Sequence, residues 1–179
     1  MFYLLGGGWC SGLSALEVAY DCYDRSNTLL GSTNGWQDTK TSIDHTFSGD
    51  PVKDILYYNW NRIFVIYCDG SGHQGYIEKP LVIKGKSLYF KGYNNTMAHL
   101  NWALTKLPAS KLDSFTLYGY SAGGLAMLTW LDTVKGIINN PQVKYMGLSD
   151  CGFFINYKSR KTGDNDYENR MKSLTELVN

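Results

Sequence analysis

Residues 114–138, SFTLYGYSAGGLAMLTWLDTVKGII, constrain the fold more than any other stretch. "SFTLYG" is an apolar, β-prone run that predicts a strand. Residues 122–138 predict a helix, with Leu125, Leu128 and Leu131 at i, i+3 spacing and Val134, Ile137 and Ile138 beyond them. Only Gly119-Tyr120-Ser121-Ala122-Gly123 lies at the junction, so the strand must turn directly into the helix. That turn is one half of a βαβ unit and commits the chain to a parallel sheet. The pentapeptide also fits G-x-S-x-G, in which a serine is lifted out of a tight strand-to-helix turn as a nucleophile. Taken alone it fits a small residue in a turn equally well.

The rest of the chain repeats this grammar. "FYLLGGGWC" reads as a short buried strand ending in a glycine turn, and residues 13–24 as a helix through Leu13, Leu16, Glu17 and Tyr20. Residues 25–54 are a polar excursion structured by its aromatics. "NRIFVIYCDGSG" holds the strongest strand, with the continuous apolar run Ile63 to Tyr67 expected to be buried on both faces. "LVIKGKSLYFKGY" predicts a hairpin around Gly85, lying over the site. Residues 94–107 predict a helix, "VKYMGLSD" a strand and "ENRMKSLTELVN" a closing helix. Alternating strands and helices give a mostly parallel sheet with flanking helices in one domain over residues 1–179. Ligands on such sheets bind at the carboxyl ends of strands. Gly6 to Trp9, Cys68 to Gly75, Ser121 and Asp150 all fall at such ends and should converge on one edge.

Composition excludes several functions. The 179 residues carry a net charge of +1, which offers nucleic acid no basic surface. No apolar stretch reaches membrane-spanning length. The N-terminus has no basic region ahead of its apolar residues, so it does not read as a signal peptide; taken literally that implies the cytosol, and the alternative is that the natural chain begins further upstream. Cys10, Cys22, Cys68 and Cys151 form no CxxC and are widely spaced, which argues against zinc and leaves open two disulfides or four buried thiols. No metal or organic cofactor is expected. Trp9, Trp36, Tyr58, Trp60 and Tyr76 sit in Gly- or Asn-rich loops, where aromatics either stack on sugars or pack beneath the loops.

A hydrolytic serine needs an oxyanion hole of two donors. The N–H of Ala122, at the helix N-terminus, is one. "LLGGGWC" is the kind of glycine run that supplies the other from a loop after an earlier strand.

In order, "GGGWC" (6–10), "CYDRSNTLLGS" (22–32), "NWNRIFVIYCDGSGHQG" (59–75), "YGYSAGGLAMLTWLD" (118–132) and "LSDCGFF" (148–154) resemble the pectin acetylesterase / Notum carboxylesterase family. The resemblance implies an α/β-hydrolase-like fold. It implies secreted or secretory-pathway esterases that remove acetyl groups from pectin or, in the Notum branch, a fatty acyl group from a protein. It makes Ser121 the nucleophile, Gly7, Gly8, Trp9 and Ala122 the oxyanion hole, and Cys10–Cys22 a disulfide. A Cys68–Cys151 bond is a further expectation that the family does not imply. Leu5 and Cys151 stand where the family commonly has an acidic and a small residue. In the family the triad acid and histidine follow the serine, whereas this chain ends at Asn179 before either appears. The expectation is the first half of a catalytic domain, with little or no esterase activity alone.

All three histidines, His45, His73 and His99, precede Ser121. His73, in "DGSGHQG", is the best internal candidate for a base, although a loop or substrate-contacting role fits it better. His99 belongs to a helical pattern and His45 has no partner signal. Asp69 and Asp150 are read as turn-capping and site-shaping, and Asp132 as facing away. Three functions follow: an acetylesterase acting on acetylated polysaccharide or another acyl ester, a Notum-like protein-lipid deacylase, or a non-catalytic carbohydrate-binding relic.

Overall fold

A computed structural model describes residues 1–39 and 47–179. His45 lies outside the described residues. Strands β1 (Phe2–Leu4), β2 (Ile63–Val65), β5 (Ser114–Tyr120) and β6 (Lys144–Asp150) form one sheet in the order β2-β1-β5-β6, every pairing parallel. β3 (Leu81–Ile83) and β4 (Lys86–Leu88) form a separate antiparallel hairpin. The helices are α1 (Ala15–Arg25), α2 (Gly92–Lys106), α3 (Ala122–Ile138) and α4 (Asp166–Val178).

Alternation along β1 and β5 divides the packing between two faces. Phe2, Leu4, Phe115 and Leu117 meet Leu100 and Ala103 of α2 and Ala126, Met127, Trp130 and Val134 of α3 in the main core. Tyr3 and Tyr118 point the other way and pack with Phe47, Tyr57 and Trp60. Aromatics from the end of the polar excursion and the segment after it therefore cover the second face. Arg62 holds that cover, donating to the Phe47 and Tyr57 carbonyls and pairing with Asp54 at 2.9 Å. A third cluster joins α1, α4 and the hairpin through Cys10, Val18, Cys22, Leu88, Phe90, Leu174 and Val178.

The α/β-hydrolase-like architecture expected from the sequence is present. The helix expected at 122–138 has those bounds. The strand expected from Ile63 to Tyr67 is shorter, ending at Val65, and among the described residues β2 has a neighbour on one side only. Its Ile63 and Phe64 are half-buried rather than enclosed on both faces. The hairpin packs against α1 and the cluster around Cys10 and Cys22. At the other edge, β6 has no strand on its outer side among the described residues.

Candidate active site

The junction in residues 119–124 is held by main-chain packing. Ser121 has φ 53° and ψ −120°, a conformation that L side chains avoid. It persists because its surroundings leave no alternative. A Cβ on Gly119 would lie 1.9 Å from the Gly123 carbonyl oxygen, and one on Gly123 would lie 2.0 Å from that of Leu4. Both glycines are thus required by close backbone approach. From β6, the Asp150 carbonyl accepts the Ser121 N–H at 2.8 Å. The Ser121 hydroxyl is half-exposed and meets no partner among the described residues. Behind it α3 starts; the Gly124 and Leu125 N–H groups donate to the Ser121 carbonyl, and those of Ala122 and Gly123 meet no acceptor among the described residues.

The glycine loop after β1 lies alongside. A Cβ on Gly6 would sit 3.1 Å from the Ser121 Cβ. Gly7 (φ 136°) and Gly8 (φ 63°) both take positive φ, which a glycine accepts without strain. No acceptor among the described residues meets the N–H of Gly7, Gly8 or Trp9. The loop ends where the Cys10 N–H donates to the Gly70 carbonyl at 2.9 Å and where Cys10 is disulfide-bonded to Cys22. Trp9 packs edge-on against Phe154 and Tyr167.

The four strand ends that the sequence placed together do converge. Their roles differ. His73 is buried, stacks on Tyr67 at 4.6 Å, and donates through Nε2 to the Leu5 carbonyl at 2.8 Å. Burial lowers its pKa to about 4, so it is neutral at physiological pH. Its hydrogen bonds go to Leu5 and, through its carbonyl, to the Trp130 indole, and none reaches Ser121. His99, on α2, bonds through Nδ1 to the Asn95 carbonyl one turn earlier. Asp69 accepts from the N–H and Oγ of Ser71 and from the N–H of Gly92, tying the loop after β2 to the start of α2. Burial pushes its carboxyl above the ordinary range, against those bonds, which pull it down. Asp150 accepts the Tyr118 hydroxyl through its carboxylate, as well as holding Ser121 through its carbonyl. Asp132 is exposed on α3.

Cys68 and Cys151 are free thiols, which corrects the expectation of a bond between them. Cys68 is half-buried after β2, whereas Cys151 is exposed after β6, with β1 and β5 between the two strands. A hydrogen bond to Asp150 pushes the Cys151 thiol up, and burial does the same for Cys68, so neither is a ready thiolate. The loop aromatics also separate. Trp36 and Trp60 line a cavity of about 1000 Å³ with His99 and Trp102, away from Trp9. Among the described residues no cluster suited to a metal ion occurs, and no helix is long and apolar enough to cross a membrane.

Two residues at the site were given no role by the sequence although they lie in its motif blocks, Arg25 and Tyr67. Arg25 Nη1 donates to the Gly7 carbonyl at 2.6 Å, and its guanidinium lies 4.9 Å from the Tyr67 ring centroid. A signal for Arg25 was present in the sequence. It stands three residues after Cys22, on the same helix face, so a bond from Cys22 to the glycine loop carries Arg25 there too.

Parallel strands flanked by helices, with a positive-φ serine between strand and helix beside a glycine loop, define an α/β-hydrolase-like protein. The chain belongs to the pectinacetylesterase family, which it matches over residues 1–179. It is 31% identical to pectin acetylesterase 5 of Arabidopsis thaliana over 157 residues, covering 87% of this chain and 34% of that protein. It is also 31% identical to the palmitoleoyl-protein carboxylesterase notum1' of Xenopus laevis, over 88% of this chain and 31% of that one. The Wnt deacylase Notum from Drosophila superposes on it with a TM-score of 0.75 at 21% sequence identity, covering 99% of this chain and 52% of that structure. The chain thus spans about a third of the length of the curated relatives it matches.

Proposed function

We propose that this chain carries the nucleophile and oxyanion hole of a serine carboxylesterase that removes acetyl groups from pectin or a related polysaccharide. The observation that carries the reading is Ser121, held at positive φ with a free hydroxyl between two sets of unmet N–H groups. In the first step Ser121 Oγ attacks the acyl carbonyl carbon and passes its proton to a base. The N–H of Ala122 and those of Gly8 and Trp9 hold the oxyanion. The intermediate collapses, the sugar hydroxyl leaves with a proton, and water then cleaves the acyl-enzyme to release acetate. No step requires a metal.

Neither His73, buried beneath the loop with its Nε2–H on the Leu5 carbonyl, nor His99, on α2 with its Nδ1 on the Asn95 carbonyl, is hydrogen-bonded to Ser121. We infer that the base and its acid come from outside the described residues, in a protein that acts in an oxidising, extracytoplasmic compartment suited to the Cys10–Cys22 bond. Without a base, catalysis falls by several orders of magnitude while the oxyanion hole keeps a remnant. The purified 179-residue chain should therefore hydrolyse p-nitrophenyl acetate weakly, and Ser121→Ala should abolish the acetyl-enzyme seen by intact mass. Efficient turnover that survives Ser121→Ala would sink the assignment.

One observation favours a longer acyl chain. Gly152 backs onto Gly124 of α3, and the extended segment after it exposes Phe153, Ile155 and Tyr157 beside the Trp9–Phe154 contact. An apolar wall there would suit a fatty acyl group, as in a Notum-like deacylase. Comparing p-nitrophenyl acetate with the octanoate in the full-length protein decides: a preference for octanoate selects the lipid reading.

A further inference from the structure

We propose that Arg25, with Tyr67 and His73, is a positioning clamp that sets the direction of the oxyanion-loop N–H groups; this rests on the reading of Ser121 and Gly7–Trp9 given above. Two carbonyls of the loop are held from below. Gly7 O accepts from Arg25 Nη1 at 2.6 Å and Leu5 O accepts from His73 Nε2 at 2.8 Å. The two donors share one support, because the Tyr67 ring contacts both the guanidinium at 4.9 Å and the imidazole at 4.6 Å. Tyr67 is in turn fixed, its hydroxyl accepting the Gly72 N–H at 2.7 Å.

Peptide planarity turns this into a statement about the oxyanion hole. In a trans peptide the C=O of one residue and the N–H of the next point in opposite directions. With Gly7 C=O turned onto Arg25, the Gly8 N–H must point away from the guanidinium. A Gly-Gly peptide flips at little steric cost, since both residues accept either sign of φ. A flipped peptide would present a carbonyl oxygen where the oxyanion needs a donor. Arg25 opposes that flip with a charge-assisted bond. Its Nε and Nη2 are buried without an acceptor, so Gly7 O is the one hydrogen-bond partner this guanidinium has among the described residues. A cation kept there with so little compensation is costly to burial and is better explained by what it does to the loop.

The test uses the 179-residue chain and reads the loop directly. Backbone 15N relaxation and residual dipolar couplings are measured for the parent, Arg25→Met and Arg25→Lys. In Arg25→Met the Gly8 N–H order parameter should fall from about 0.85 to below about 0.6, or its dipolar coupling should change, while β1 and α1 stay as in the parent. Arg25→Lys, which keeps the charge and a donor, should recover part of the change. A Gly8 N–H unchanged on both measures in Arg25→Met overturns the clamp. Should Arg25→Met not fold, the parent alone decides: the Arg25 Nη1 and Nη2 signals must be resolved by hindered rotation, and averaged signals overturn the bond to Gly7. A fluorophosphonate on the full-length protein, where the base is present, followed by intact mass, separates this inference from the one beneath it. Labelling should be about tenfold slower in Arg25→Met with unchanged reagent affinity, and absent in Ser121→Ala. Labelling that persists in Ser121→Ala counts against the nucleophile, and the Gly8 measurements still decide the clamp.

Discussion

The two halves of the candidate site are held in opposite ways. The turn at Ser121 is fixed by main chain on main chain: Gly119 against Gly123, Gly123 against Leu4, Ser121 N–H on the Asp150 carbonyl. The glycine loop at residues 6–9 has open space around Gly8 and takes its shape from side chains brought by α1 and the loop after β2. The first arrangement is stiff and intolerant of change. The second is adjustable, and it places the donors of an oxyanion hole under the control of residues distant in sequence.

Substitution at the turn should have the largest effect. Gly119→Ala forces a Cβ to within 1.9 Å of a carbonyl oxygen, and should cost more than about 4 kcal/mol or prevent folding, as read by urea denaturation. A loss below about 1 kcal/mol would mean that the turn is not main-chain limited. Releasing the loop's covalent tether comes next. Cys10→Ser with Cys22→Ser opens a loop of sequence separation 12 and should cost roughly 3 kcal/mol.

The loop's histidine should then make stability depend on pH. His73 titrates near 4 in the folded chain against an ordinary 6.5, so the unfolded chain binds the proton more readily. Its contribution is fully present above about pH 6.5 and is lost as pH falls through the folded value near 4, by up to about 3 kcal/mol. Asp69, raised by burial, acts with the opposite sign, so the difference between the parent and His73→Phe isolates the histidine. Equal pH profiles for the two would remove His73 from the account. The smallest effect belongs to Gly8→Ala. Nothing lies within 4 Å of the added methyl and only the positive φ is strained, so about 1 kcal/mol is expected by thermal denaturation.

This contrast also explains what the sequence disclosed. The turn is local, so its strand, its glycines and its helix stand side by side in residues 114–138, and the helix came out with the right bounds. Convergence of the strand ends followed from the parallel order alone. Clamp residues act across long separations, Arg25 on Gly7 and His73 on Leu5; only the first left a trace, through the spacing of Arg25 from Cys22 on one helix face. His73 drew notice as a titratable group at the right edge, but the bond to Leu5 and the contact with Tyr67 that occupy it depend on how three loops pack. The shortening of β2 has the same origin: an apolar run reports burial but not whether a strand has one neighbour or two.

The bare outer side of β6 has a practical consequence. Among the described residues no strand pairs with the outer side of the seven residues Lys144–Asp150, and the charges sit only at the two ends. Such a margin is a template for another chain. Handled in isolation, this polypeptide should associate edge to edge as its concentration rises, and a lysine or proline placed midway along β6 should keep it monodisperse.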